Sequence, residues 1–166
     1  MRTGRSDKER SAWRGKFMPP PAPMEPGYNE LRRLYLARLR PIVASSVHEI
    51  PPCPRFAFTW YERTRHRDPD GVHAGGAKLI LDALVLGGLL SNDGARDVRG
   101  FDACFSYAAA EADEGCMVFA TGIREVDEVW GLRVPFRLPD LNEMIAAARR
   151  DGMLTERTRQ ARRGQR

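Results

Sequence analysis

The sequence has few cysteines and no long apolar run. Its three cysteines, Cys53, Cys104 and Cys116, are odd in number, and no two have the spacing of a zinc ribbon. We therefore expect partly buried free thiols in a reducing compartment. No apolar run approaches the roughly 20 residues that span a bilayer, and the charged first residues do not resemble a signal peptide. These absences predict a cytoplasmic protein with no membrane partner.

Acidic residues are outnumbered by basic residues. The 166 residues include 27 Lys and Arg against 22 Asp and Glu, which gives a net charge of +5. This balance favours a polyanionic partner without identifying it. With 42% hydrophobic residues, the chain is expected to fold as one compact domain with tails. We predict a basic, proline-rich tail over residues 1–27, a single domain over 28–151, and a basic segment over 152–166 that is either a helix continuation or a frayed tail.

Hydrophobic spacing predicts a mixed α/β fold. Apolar residues three to four apart indicate a helix over residues 29–40, ended by Pro41, and another over 77–87. Aromatic and β-branched runs predict strands over 55–61, 98–107, 116–123 and 129–138. A last helix over 141–150 would be capped by Asp140 or Asn142. We expect a small mixed β-sheet with two or three helices packed on it.

The residues that indicate chemistry lie between positions 68 and 93. They are Asp68, Asp70, Lys78, Asp82 and Asp93. Lys78 and Asp82 share a helix face, and Asp68 and Asp70 face the same space if their segment is extended. Carboxylate oxygens are the ligands that Mg²⁺ prefers, and a nearby lysine can stabilise charge on a phosphate. These residues therefore predict a metal-dependent site for phosphodiester hydrolysis.

Simpler interpretations of the same residues stay open. Lys78 and Asp82 can be a surface ion pair, and Asp68 and Asp93 can be turn or cap residues. A calcium loop is excluded because Val72 occupies a ligand position, and a phosphate loop because Leu79 stands where Ser or Thr is needed. His66 and His73 lack further zinc ligands at a suitable spacing.

Basic residues on both sides of the aspartates are candidates for contacts with the DNA backbone. They are Arg63, Arg65, His66, Arg67 and Arg96.

The order of these motifs resembles that of the RusA-like endodeoxyribonucleases, which are found largely in phages and prophages. The resemblance covers residues 60–101. It rests on three motifs and a following strand: Arg65-His66-Arg67-Asp68-Pro69-Asp70, then Lys78-Leu79-Ile80-Leu81-Asp82-Ala83-Leu84, then Asn92-Asp93-Gly94 and Val98-Arg99-Gly100-Phe101.

The resemblance implies a homodimer that cuts branched DNA, such as Holliday junctions in recombination and repair, with Mg²⁺ or Mn²⁺. By this resemblance Asp68, Asp70 and Asp93 are metal ligands and catalytic residues, and Lys78 supports catalysis. Asp82 matches a recurrent acid that we also expect to bind the metal.

Two departures from the family pattern have consequences. Gly71 stands where the family has an asparagine, which motivates an alternative function as a catalytically inactive DNA- or junction-binding protein. The segment Phe136-Arg137-Leu138-Pro139-Asp140-Leu141-Asn142-Glu143 resembles the family's opening unit, yet it lies near the C-terminus. We therefore hypothesise a circular permutation, which requires the strand over 129–138 to pair within the main sheet. A third alternative is an interaction protein that binds acidic partners through its basic tails.

Overall fold

The computed structural model describes residues 25–46, 48–123 and 129–163. Residues 1–24 of the predicted tail therefore lie outside the described residues. The elements in chain order are α1 (Tyr28–Ala44), β1 (Arg55–Glu62), α2 (Pro69–Leu86), β2 (Gly100–Tyr107), a 3₁₀ turn (Glu111–Asp113), β3 (Gly115–Thr121), β4 (Trp130–Val134) and α3 (Leu141–Arg163).

The four strands form one mixed sheet in the order β2-β1-β3-β4. β1 and β2 are parallel and are connected through α2, whereas β3 runs antiparallel to both β1 and β4. Phe56, Phe58 and Trp60 on β1 are at most 1% exposed, since alternate side chains of a strand share one face and this face is covered by the helices. The predicted small mixed sheet with helices packed on it is confirmed.

Helix α2 packs closely on its neighbours because two adjacent glycines leave room for them. A Cβ atom on Gly76 would lie 2.5 Å from the Trp60 ring, and one on Gly75 would lie 2.7 Å from the Pro139 carbonyl oxygen. A side chain at Gly76 would force the helix away from the sheet, and one at Gly75 would force it away from the segment that precedes α3. The Gly75-Gly76 pair is therefore a packing feature.

Two helix boundaries differ from the predictions. α2 begins at Pro69 rather than at residue 77, because Asp68 caps it and proline suits the first helical position. α1 continues through Pro41 to Ala44, since Val43 in its last turn is buried in the core and this burial offsets the lost hydrogen bond. β4 ends at Val134, earlier than predicted.

The start of α3 is held by two reciprocal hydrogen bonds. The Asp140 backbone N–H donates to Glu143 at 2.8 Å, and the Glu143 backbone N–H donates to Asp140 at 2.9 Å. This capping box confirms Asp140 as the cap. Because α3 extends to Arg163, the basic C-terminal segment is a helix continuation over its described residues.

The C-terminal strand lies within the main sheet, which is the condition set by the permutation hypothesis. β4 pairs with β3 inside the main sheet. Farther along α3, the Asp151 carboxylate accepts from the Asn29 backbone N–H at 3.3 Å, and Arg150 donates to the Pro26 carbonyl at 3.1 Å. This part of α3 therefore lies beside the start of α1.

Candidate acidic site along helix α2

Asp68 and Asp70 lie at the N-terminal end of α2. The Asp68 carboxylate accepts from the Gly71 backbone N–H at 3.0 Å, which makes Asp68 the helix cap, and Asp70 lies in the first turn. Both side chains are exposed, and neither forms an ion pair with a Lys or Arg in the described ranges. The partial positive charge of the helix N-terminus stabilises both carboxylates. Since Asp70 is helical, the segment is not extended, which was the condition for Asp68 and Asp70 to face the same space.

Asp82 and Asp93 lie farther along and are neutralised by cations. The Lys78 ammonium lies 2.8 Å from Asp82 and also forms an ion pair with Asp93, while the Arg32 guanidinium lies 3.0 Å from Asp82. Hydrogen bonds to Asp82 and Asp93 raise the pKa of Lys78, and the hydrogen bond from Lys78 lowers the pKa of Asp93. Lys78 is therefore a fixed positive charge, and it cannot act as a general base at neutral pH.

The structure does not gather the four aspartates into one cluster. Asp70 and Asp82 lie twelve residues apart on one helix, a rise of about 18 Å, so one ion cannot bind both. Within the described ranges, no group of three or more His, Cys, Asp or Glu residues is placed to hold a metal ion. Asp68 and Asp70 nevertheless keep exposed carboxylate oxygens, the ligand type that Mg²⁺ prefers.

Arg67, a predicted DNA contact, is instead a buried link between distant parts of the chain. Its guanidinium is 7% exposed and lies 2.7 Å from Glu62, 3.1 Å from Asp140 and 3.2 Å from Glu143. It also donates to the Leu138 carbonyl at 2.6 Å. Burial alone would lower the pKa of Arg67, but hydrogen bonds to Glu62 and Asp140 outweigh it and raise the pKa. With its donors engaged in this way, Arg67 is not available to a phosphate.

The other predicted DNA contacts lie on the surface. Arg63, Arg65, His66 and Arg96 are all exposed. Arg63 has a long contact of 3.9 Å with Glu111, and the His66 backbone N–H donates to the Thr64 hydroxyl at 3.2 Å. Arg65 and Arg96 form no ion pair within the described residues. These four side chains are therefore able to contact a polyanion.

His73 is a residue of this region to which the sequence analysis gave no role. Its Nδ1 accepts from the Trp60 indole N–H at 3.2 Å, so the ring is neutral and carries its proton on Nε2. Burial lowers the pKa of His73, and the charge of Asp70 opposes this shift. In the sequence, His73 is marked only by its position one helical turn after Asp70, and this position does not predict the hydrogen bond with Trp60.

A cavity of about 280 Å³ opens beside the start of α2. It lies at the carboxyl ends of the parallel strands β1 and β2, which is where α/β folds commonly bind ligands. Its walls include Pro69 and Val72 from α2, Phe105 and Tyr107 from β2, and Arg65 from the connecting loop. The cavity therefore adjoins the end of the helix that carries Asp68 and Asp70.

Comparisons with known proteins give no relative. No protein-family model matches the sequence, and neither curated proteins nor solved structures give a significant match. Among the described helices, none is both long enough and apolar enough to cross a membrane.

Proposed function

We propose that this chain is a Mg²⁺-dependent endodeoxyribonuclease that cuts branched DNA, with Asp68 and Asp70 as the metal-binding carboxylates. The observation that carries the proposal is the placement of these two exposed aspartates. They lie at the N-terminal end of α2 and have no cationic partner in the described chain, next to a cavity at the ends of two parallel strands. Exposed Arg63, Arg65 and His66 precede them and supply contacts for a DNA backbone.

The roles of the side chains follow from their charge and position. A bound Mg²⁺ would supply Lewis acidity at a phosphoryl oxygen and lower the pKa of a coordinated water. Asp68 and Asp70 would hold it, with Mn²⁺ as a substitute. Lys78 stays protonated and offers positive charge to a phosphate that extends along α2. Asp82 and Asp93 keep Lys78 in place, and in this arrangement they position a cation rather than bind the metal directly.

A nicking assay tests this proposal. The substrate is a synthetic four-way junction with and without Mg²⁺, and the variants are Asp70→Asn and Asp102→Asn. Asp102 is an exposed aspartate on the opposite face of the sheet, paired with Arg55, so it is a matched control. We expect cleavage that depends on Mg²⁺, falls by about 100-fold or more in Asp70→Asn, and persists in Asp102→Asn. Equal loss in both variants would contradict a metal role for Asp70.

A second candidate function is binding of DNA junctions without cleavage. It is favoured by the neutralisation of Asp82 and Asp93, because only Asp68 and Asp70 of the four predicted metal ligands then carry no ion pair within the described residues. This candidate predicts tight junction binding with no cuts under Mg²⁺ or Mn²⁺. Binding should weaken steeply with salt for either function, because phosphate contacts release counterions.

The resemblance also suggests a homodimer in the cytoplasm. β2 is at one edge of the sheet and has no strand partner on its outer side within the described chain. Such an edge can pair with a second copy of the same chain. Sedimentation equilibrium of the full-length protein tests the dimer, and a monomer at micromolar concentration would contradict it.

A further inference from the structure

We propose that the cavity beside Asp68 and Asp70 binds one unpaired nucleobase, which stacks on the exposed rings of Phe105 and Tyr107. The inference rests on the proposed function, since it takes DNA to be the ligand. It adds a specific contact that selects unpaired or branched DNA over regular duplex.

The rings are exposed because the helices do not extend over the edge strand. In the parallel register, Phe105 is aligned with Trp60 and Tyr107 with Glu62, so the two rings lie on the helix-covered face of the sheet. Trp60 is 1% exposed beneath α2, but Phe105 is 37% exposed and Tyr107 is 60% exposed. On this face of the sheet, the side chains of β1 are therefore buried and those at the end of β2 are exposed.

The two rings also lack the aromatic partner that their neighbour on β2 has. Phe101 stacks on Phe56 with ring centroids 6.4 Å apart and planes 14° apart. Among the described residues, no aromatic ring stacks on Phe105 or Tyr107. Their π-faces are thus free for a planar ligand, and base–aromatic stacking is a common source of affinity for unpaired nucleic acid.

The chemistry around the rings suits a base attached to a phosphate. Arg65 is exposed and lines the cavity, whereas the acidic lining residue, Glu62, is neutralised by Arg67 at 2.7 Å. Thr64 adds a hydroxyl group that can bond to a base edge. The cavity, at about 280 Å³, lies just below the usual range for small-molecule pockets, so it suits a single planar ring.

The position of the cavity connects base binding to the acidic pair. Pro69 and Val72 of α2 form one wall, and Asp68 and Asp70 belong to the same turns of that helix. A base in a regular duplex is covered on both faces by its neighbours, so only an unpaired or flipped base can stack here. Its phosphate would then pass beside Arg65 and the two aspartates.

A binding experiment in EDTA separates this site from catalysis. The probe is a DNA duplex with a single bulged 2-aminopurine, whose fluorescence reports stacking, and the reference is the same duplex without the bulge. We expect the full-length protein to bind the bulged probe more tightly. Phe105→Ala and Tyr107→Ala should each weaken binding of the bulged probe by about five-fold or more and leave the affinity for regular duplex unchanged.

The controls use residues of the same type. Phe119→Ala removes a ring that is also 37% exposed but lies on the opposite face of the sheet, and it should change neither affinity. Tyr107→Phe keeps the ring and should retain the preference for the bulge.

Three results would overturn the proposal. The first is that the wild type shows no preference for the bulged probe, and the second is that Phe105→Ala weakens the binding of both probes equally. The third is a change of oligomeric state in Phe105→Ala, which would instead make the rings an interface between copies. Nicking of a junction under Mg²⁺ tests the endonuclease separately. If Phe105→Ala still nicks the junction and the wild type shows no preference for the bulge, the base-binding site alone is refuted. Bulge preference in a protein that never nicks would refute the endonuclease alone.

Discussion

Arg67 and Lys78 are both cations that contact more than one carboxylate, but their surroundings differ. The Arg67 side chain is 7% exposed and joins Glu62, Asp140 and Glu143, which come from β1, the loop before α3, and α3. The Lys78 side chain is 54% exposed and joins Asp82 and Asp93 from α2 and the turn that follows it. The Arg67 cluster is therefore buried within the fold, whereas the Lys78 cluster lies on the surface and is open to solvent.

The difference between the clusters indicates what each can do. A buried charge that loses its partner is not solvated by water, so breaking a buried ion pair strongly destabilises the folded protein. An exposed charge is solvated in either state, so its partners can exchange it for water, an ion or a phosphate. We therefore assign the Arg67 cluster to stability, and the Lys78 cluster is open to the ligand contact proposed above.

The largest effect should come from removing the buried cation. Arg67→Gln leaves three carboxylates without their common partner, and we expect the free energy of unfolding to fall by about 3–5 kcal/mol. Urea denaturation followed by Trp fluorescence measures the change. Arg65→Gln, two residues away and exposed, is the control and should alter the value by less than about 0.5 kcal/mol. If the free energy of unfolding of Arg67→Gln fell by less than about 1 kcal/mol, the assignment of the Arg67 cluster to stability would be contradicted.

A smaller effect is expected at the exposed cation. Lys78→Met keeps most of the apolar stem and removes the charge, so the free energy of unfolding should change by less than about 1 kcal/mol. The pKa of Asp93 should rise toward its ordinary range, because the hydrogen bond from Lys78 is the main cause of its lowering. NMR titration of the Asp93 carboxyl carbon measures this shift. Lys78→Arg should keep the pKa low, and an unchanged pKa in Lys78→Met would contradict the assigned cause.

The two clusters also differ in how far the sequence could reveal them. Lys78 and Asp82 are four residues apart, so their pairing follows from helix geometry. Arg67 is separated from Asp140 by 73 positions and from Glu143 by 76, and no local pattern connects them. Because Arg67 stands among other arginines before the aspartates, its local sequence predicts a DNA contact.

The strands were more predictable than the acidic site. Alternating aromatic residues predict β1, and its burial by the helices agrees. In contrast, the predicted convergence of four aspartates depended on where α2 begins. A start at Pro69 rather than residue 77 makes Asp70 helical and separates it from Asp82 along one axis. The resemblance in motif order did not fix the distances between the aspartates.

The smallest effect concerns His73, which lies on α2 between the exposed aspartates and Lys78. Because its folded-state pKa is below the ordinary value of 6.5, the unfolded chain takes up a proton first as the pH falls. The contribution of His73 to stability is therefore complete above pH 6.5 and is lost as the pH falls from there through the folded-state pKa. His73→Gln should flatten this part of the stability curve, measured by urea denaturation between pH 7.5 and 5.5. Asp70→Asn should lower the pKa of His73 further in an NMR titration, since Asp70 opposes the effect of burial. A rise in that pKa would mean that Asp70 does not act on the ring through its charge, and its position beside His73 would need another explanation.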